Sequence, residues 1–185
     1  PQTIGDYLHD IYMDKVDEDH PAFAAHEREV RDRISSMMAV QGTRTPLSIH
    51  RDLGKLMWDH CGMARTAEGL RTALAGIEEL QEAFRTDLLI PGSADGPNQV
   101  LERAGRVADY LELGHLMCRD ALERDESCGC HFREEHQTED GEVIRDDENF
   151  QNVSVWEWNG EEQPETLHQE KLVLEALPPI TRSYK

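Results

Sequence analysis

The sequence predicts a mainly α protein: an antiparallel three-helix bundle carrying a C-terminal β-hairpin and an extended tail. Three observations carry that expectation. Apolar residues recur at three- and four-residue steps over three long stretches, each opened by a capping residue, and one such face cannot bury itself without partners. After about residue 126 this periodicity stops, and a short alternating run of β-branched and aromatic residues follows. The end, Leu177-Pro178-Pro179-Ile180, is held extended by its prolines.

The elements follow in order. Gln2 to Met13 places Ile4, Leu8, Ile11 and Tyr12 on one side of a short helix. Asp17-Glu18-Asp19-His20-Pro21 breaks it, and Pro21 suits the first turn of a second helix bearing Val30, Ile34, Met37 and Met38 and ended by Gly42. Thr45-Pro46 is a cap followed by proline at the first helical position. Ile49, Leu53, Leu56, Met57 and His60 share one face behind it, with Gly62 expected as a left-handed cap. Thr66 caps the next stripe, Leu70, Leu74, Ile77, Leu80 and Phe84. Pro91 to Pro97 is a loop dense in turn residues, and Asn98 caps the longest helix, with Leu101, Ala104, Ala108, Leu111, His115 and Cys118 along it. Asn152 to Trp158 alternates as a strand does, and Leu167 to Leu174 is the expected return strand, with Trp156, Trp158, Leu172 and Leu174 covering apolar surface. The expected divisions are an N-terminal helical linker over 1–45, the bundle over 46–125, and an acidic loop, hairpin and Pro-rich tail over 126–185.

Charge narrows the function. The 185 residues hold 38 acidic against 19 basic side chains, a formal −19. That argues against nucleic acid, whose phosphates need clustered positive charge, and against adsorption to anionic lipid. Between Asp120 and Glu175 stand 18 acidic residues against Arg124, Arg133, Arg145 and Lys171, so the back of the chain is far more acidic than the front. A solvated face accounts for this more simply than a docking face for a basic partner. Uninterrupted apolar runs such as Met37-Met38-Ala39-Val40 are too short to cross a bilayer, so no direct membrane insertion is expected. No export leader opens the chain, and Pro1 stands where an initiator methionine would, as in an excised piece of something longer.

Few side chains suggest chemistry by pattern alone. Cys128-Gly129-Cys130-His131, with His136 nearby, offers zinc donors, but at a one-residue spacing and without a second pair, so structural use is expected and no metal. Four cysteines are too few and too bunched for a disulfide scaffold, which favours a reducing compartment. His60 and His115 lie on helical stripes, where hydrogen-bonded core histidines are commoner than general bases. Asp146-Asp147-Glu148 lacks the spacing and glycine of a calcium loop. No Gly-x-Gly-x-x-Gly or phosphate-binding Gly-x-x-x-x-Gly-Lys exists, so no dinucleotide fold is visible.

Five segments, in order, resemble one family. Met57-Trp58-Asp59-His60-Cys61-Gly62-Met63-Ala64-Arg65 is similar to the Met-Trp-Asp-x-x-Gly-x-x-Arg of succinate dehydrogenase and fumarate reductase flavoprotein subunits. Leu111-Glu112-Leu113 comes next. Glu126-Ser127-Cys128-Gly129-Cys130-His131-Phe132-Arg133 resembles the family's Glu-Ser-Arg-Gly-x-His-x-Arg, departing from it at Cys128. Arg145-Asp146-Asp147-Glu148-Asn149-Phe150 and Pro178-Pro179-Ile180-Thr181-Arg182-Ser183-Tyr184 are similar to its Arg-Asp-Asp-Glu-Asn-aromatic and closing Pro-Pro-x-x-Arg-x-Tyr.

The resemblance implies the C-terminal helical domain, spectrin-repeat-like, of an FAD-dependent oxidoreductase that interconverts succinate and fumarate in electron transport and the TCA cycle. It implies that FAD and the reactive residues belong to an upstream flavin-binding domain, so no catalytic, cofactor-binding or metal residue is expected in this chain. The expected partners are that flavin domain, the iron–sulfur subunit and, indirectly, a membrane anchor subunit, on the cytoplasmic side of a membrane-bound complex. Structural and interface candidates are Trp58, Asp59, Arg65, His131, Arg133, Arg145, Asp146, Asp147, Asn149, Arg182 and Tyr184. The alternatives are a stand-alone acidic helical interaction module and the equivalent domain of L-aspartate oxidase.

Overall fold

The structure, a computed structural model, describes residues 2–10, 19–160 and 163–180. Among them lie six helices and one two-stranded sheet: α1 (Gln2–Asp10), α2 (Pro21–Ala39), α3 (Pro46–His60), α4 (Ala67–Thr86), α5 (Gln99–Glu123), α6 (Asp147–Phe150), β1 (Asn152–Glu157) and β2 (Thr166–Lys171). The mainly helical expectation holds. Ile11 and Tyr12, expected on the first helix, fall outside the described residues.

Each long helix starts where a side chain satisfies its orphan amides. Thr45 accepts from the Ser48 amide, Thr66 from the Gly69 amide, and Asn98 from the Val100 and Leu101 amides. Proline opens both α2 and α3, where its missing N–H costs nothing. The end of α3 differs from expectation. Cys61 is the C-cap, and Gly62 does not take a left-handed conformation. Glycine is required there by proximity, because a Cβ would lie 2.8 Å from the Trp58 carbonyl oxygen.

α3, α4 and α5 each pack against the other two. Their facing stripes make the core, with Ile49, Leu70, Ala73, Ile77, Ala104, Val107 and Cys118 fully buried. Leu88 and Ile90, just past α4, close one end of it. The turn before α3 is stitched to the same place. Gly42 N–H donates to the Leu88 carbonyl (2.8 Å), while the Thr43 and Arg44 amides share the Asp87 carbonyl (3.0 and 2.9 Å). Gly42 is indispensable to that crossing, since a Cβ would stand 2.1 Å from the Asp87 carbonyl carbon. By contrast α2 buries no residue fully and meets the core only through Met37, Met38 and its cap Val40.

β1 and β2 pair antiparallel from Asn152↔Lys171 to Glu157↔Thr166. Both strands are shorter than expected, and Trp158, Leu172 and Leu174 lie beyond them, exposed. Only part of the anticipated apolar cover is present, because the pleat turns Asn152, Ser154 and Trp156 inward and Val153 and Val155 out to solvent. Trp156 anchors the hairpin to α5. Its indole N–H donates to the Asp120 carboxylate (2.8 Å), and the Arg119 guanidinium, paired with Glu165, lies 4.8 Å above its ring.

Burial separates the residues that hold this fold from those that merely decorate it. Ile77→Ala should destabilise by about 2–5 kcal/mol in urea unfolding, whereas Trp58→Ala, at a side chain left 83 % exposed, should stay within about 0.5 kcal/mol. Equal effects would show the packing described here to be wrong.

Candidate functional site

The segment after α5 has almost no apolar residues to bury, yet it encloses three polar side chains, Glu126, Ser127 and Arg133. Burial of polar groups needs hydrogen-bond partners, and here they come from a network centred on Arg133, which is only 2 % exposed. Its Nη1 donates to the Ala121 and Leu122 carbonyls (3.2 and 3.4 Å) in the last turn of α5. The guanidinium caps that helix end, where orphan carbonyls and the negative end of the dipole favour a cation. Nε lies 3.3 Å from Glu135, and Nη2 lies 3.1 Å from Asp125. The Arg133 amide donates to Ser127 Oγ (2.9 Å), and the same hydroxyl donates back to the Arg133 carbonyl (3.1 Å).

Arg65 brings the α3–α4 turn onto this segment. Its amide donates to the Phe132 carbonyl (3.0 Å), and its carbonyl accepts from the Glu134 amide (2.9 Å), a parallel bridge between Arg65 and Arg133. Its side chain donates to the Gly62 carbonyl (3.0 Å) and to His131 Nδ1 (3.0 Å). Guanidinium has no acceptor, so His131 Nδ1 must be unprotonated, and Nε2–H donates to the Arg124 carbonyl (2.8 Å). This fixes a neutral tautomer. Burial lowers the His131 pKa most; the Arg124 carbonyl opposes, and the positive charges of Arg65, Arg133 and Arg124 push it further down.

Glu126 is buried too. One oxygen accepts from Arg124 (2.9 Å), and the other accepts from the Asp146 amide (2.8 Å), which ties the start of α6 to the end of α5. Arg124 also donates to the Phe150 carbonyl (2.9 Å). Glu135 caps α4, accepting from the Ala67 amide at 2.6 Å; although partial burial works against it, that amide and Arg133 hold its carboxyl below the usual range. Asp125 is held low chiefly by its hydrogen bond from His136 (2.7 Å). The ends of α3, α4, α5 and α6 therefore meet in one polar cluster.

Of the sequence candidates, Arg65, His131 and Arg133 are brought together here, with Asp146 at the edge. Asp146 accepts from Asn149 through its amide (3.2 Å) and side chain (2.7 Å), which lowers the Asp146 pKa. Arg145 pairs with Asp147 and donates to the Ile180 carbonyl (3.2 Å), holding the extended tail. Trp58 is apart, exposed on α3, and Asp59 lines a shallow groove between α3 and α4 with Arg44, Asp52 and Lys55. Arg182 and Tyr184 lie outside the described residues. Arg124, Asp125 and Glu135 were not singled out, and Glu126 and Ser127 entered only as part of the family-like segment, not as site candidates. Their signal was a charged run with no periodicity directly after a helix end, where buried charge is the less common outcome.

The polar groups of the cluster are engaged with one another. Ser127 Oγ is used as both donor and acceptor, both His131 nitrogens are engaged, and Asp125 is spoken for by His136 and Arg133. Among the described residues no buried side-chain nitrogen or oxygen lacks a partner, and no group of three or more His, Cys, Asp or Glu is set to hold a metal. The cysteines of the Cys-x-Cys pair diverge, Cys128 half-buried and bridged to His131, Cys130 exposed. Among the described residues no helix is long and apolar enough to cross a membrane.

Comparison with known proteins decides the affiliation. The family described as "Fumarate reductase flavoprotein C-term" matches residues 50–184. The chain belongs to this family of flavoprotein C-terminal domains. A fumarate reductase flavoprotein subunit of Serratia sp. (strain ATCC 39006) is 29 % identical over 88 % of the chain, which spans 26 % of that protein. The succinate dehydrogenase flavoprotein subunit of Bacillus subtilis is 23 % identical over 70 % of the chain and 22 % of its own length. A solved structure titled "Quinol-Fumarate Reductase with Menaquinol Molecules" shares the fold at a TM-score of 0.74, with 24 % identity over 89 % of this chain and 28 % of that one. The chain thus spans about a quarter of the length of the flavoprotein subunits it matches. FAD, the family's cofactor, finds no fit here: among the described residues the sheet is a lone antiparallel hairpin, without the parallel strands and glycine-rich turn that cradle a dinucleotide.

Two outcomes follow for this flavoprotein domain. Arg133→Met should cost about 2–4 kcal/mol in urea unfolding, because it leaves the Ala121 and Leu122 carbonyls and the Asp125 and Glu135 carboxylates without their cation. His131 contributes a pH dependence of definite sign. Its pKa is lowered on folding, so the unfolded chain binds the proton more readily, and the stability it confers is complete above about 6.5 and lost as pH falls below that. His131→Gln keeps an N–H for the Arg124 carbonyl and cannot titrate. The unfolding free-energy difference between variant and wild type should therefore shift in the variant's favour from pH 7 to 5.5. A constant difference would contradict the neutral tautomer.

Proposed function

We propose that this chain is the C-terminal helical domain of an FAD-dependent flavoprotein subunit that interconverts succinate and fumarate, with α3, α4 and α5 as its antiparallel three-helix, spectrin-repeat-like unit. In this reading it packs on the flavin-binding domain of the same subunit and helps form the contact with the iron–sulfur subunit. A membrane anchor subunit is then reached indirectly, on the cytoplasmic face of the membrane. The chemistry is supplied upstream by FAD bound to the flavin domain, and this chain's residues only position surfaces.

The observation that supports it best is the coincidence of two things in one place. The Arg65, His131 and Arg133 positions that carry the family resemblance are the ones that lock the ends of α3, α4 and α5 together. Beside that lock the surface is apolar and bare: Trp58 and Met63 are 83 % and 91 % exposed on either side of the α3 end. Val153, Val155, Trp158, Val173, Leu177 and Ile180 form a second exposed set along the hairpin and tail. Apolar side chains left out in this number suit a domain that docks on others. The roles of Trp58, Asp59, Arg145, Asp147, Arg182 and Tyr184 are, in this reading, contacts with those neighbours.

The purified 185-residue chain should be colourless and should not reduce an artificial electron acceptor with succinate. A bound flavin band, or turnover above background, overturns the division of labour. The gene sequence preceding Pro1 tests the assignment itself: it should encode a flavin-binding region with a histidine for FAD, and a start codon immediately before Pro1 would favour a stand-alone module instead.

A further inference from the structure

The connection between β1 and β2 is clasped by one side chain. Asn159, exposed just past β1, donates from Nδ2 to the Pro164 carbonyl (2.7 Å) and to Thr166 Oγ1 (2.8 Å). These acceptors stand on either side of Glu165, so the clasp holds that carboxylate in place. Glu165 pairs with Arg119, whose guanidinium lies 4.8 Å above the Trp156 ring, and the Trp156 indole donates to Asp120 (2.8 Å). One side-chain amide therefore stands behind the attachment of the hairpin to α5. The residue after it is glycine, at φ +104°, a left-handed conformation that other side chains resist. With no Cβ on Gly160, nothing of that residue shields its nitrogen from the Asn159 side chain.

We infer that Asn159 is a self-modifying site, its side-chain amide lost through a cyclic imide formed with the Gly160 nitrogen, and that this loss releases the clasp that holds the hairpin to α5.

Covalent connection alone keeps the Gly160 nitrogen within reach of Asn159 Cγ, because joining them closes a five-membered ring. The Gly160 N–H gives up its proton, the N–Cγ bond forms, the Cγ–Nδ2 bond breaks, and the side-chain nitrogen leaves with that proton as ammonia. Water then opens the imide. Attack at Cγ leaves aspartate; attack at the main-chain carbonyl leaves isoaspartate, with an extra methylene in the backbone. Asparagine and one water become an acid and one ammonia, nothing is oxidised, and no cofactor enters. A carboxylate accepts hydrogen bonds and cannot donate them. Thr166 can turn its hydroxyl to the new acid, but the Pro164 carbonyl has no proton to offer. The added charge also falls beside Glu165 and near Glu157, the register partner of Thr166. Cyclisation must break both bonds of the clasp, so the clasp sets the rate of the change. Asn98, Asn149 and Asn152 are followed by Gln99, Phe150 and Val153, whose side chains obstruct the same attack.

The test keeps the folded 185-residue chain in mildly alkaline buffer at body temperature, beside a guanidinium-unfolded sample, until the unfolded sample has fully converted. Tandem mass spectrometry of the folded chain should then find a gain of one mass unit at Asn159 and at no other asparagine, as a mixture of aspartate and isoaspartate. Thr166→Val removes one of the two acceptors and should speed the folded reaction several-fold. Asn159→Asp should reproduce the consequence: the Trp156 indole N–H, followed by NMR, should exchange with solvent several-fold faster than in the parent. The parent's own mass map decides the chemistry even where a variant does not fold. An Asn159 still intact in the folded chain when the unfolded sample is fully converted, a Thr166→Val rate equal to that of the parent, or a Trp156 exchange rate unmoved by Asn159→Asp overturns the inference.

Discussion

One buried guanidinium governs how this chain is assembled. Desolvating a cation is expensive, and Arg133 is retained inside only because carbonyls at the α5 terminus and two carboxylates surround it. Those partners come from both sides of the helix end, so the ion cannot be satisfied unless the chain after Glu123 folds back. That return brings His131 under Arg65 and Glu135 onto the first amide of α4. An apolar core would tolerate several ways of closing such a loop; a fork of fixed donors tolerates one. The helices supply stability through area buried, and the polar cluster decides how their ends are joined.

The carboxylates around it are partitioned by exposure. Glu126 is enclosed and neutralised by Arg124, while Asp125 and Glu135 keep contact with solvent. Part of the acidity of the back of the chain is therefore internal counter-charge rather than surface decoration. The expectation of a wholly solvated acidic face gives way here to a mixture of the two.

Much of this was legible in the residues. Thr45, Thr66 and Asn98 read correctly as caps because capping is local, set by a side chain and amides two or three residues away. The stripes from Ile49 to Cys118 read correctly because period alone marks a buried face. Gly62 was misread because glycine after a helix has two uses, left-handed backbone or close approach, and sequence does not distinguish them. Trp156 read correctly as cover, whereas Trp158, Leu172 and Leu174 did not, because they lie beyond the strands and stay exposed. Alternation shows that Val153 and Val155 share one face and Trp156 the other, but the choice of face rests on Asp120 and Arg119, far away in sequence. Arg65, His131 and Arg133 were found through resemblance alone, since nothing local announces a buried arginine.

The crossing of Gly42 over Asp87 has a mechanical side. α2, of 19 residues, is a rod about 28 Å long. It is held near one end, by Met37, Met38, Val40 and the three amides that follow. A rod clamped so close to its root works as a lever: a tilt of about 10° at the clamp carries the Pro21 end through about 5 Å. Whatever precedes α2 is therefore aimed by a few backbone bonds, and a single methyl group added at Gly42 would redirect everything on the far side of the fulcrum.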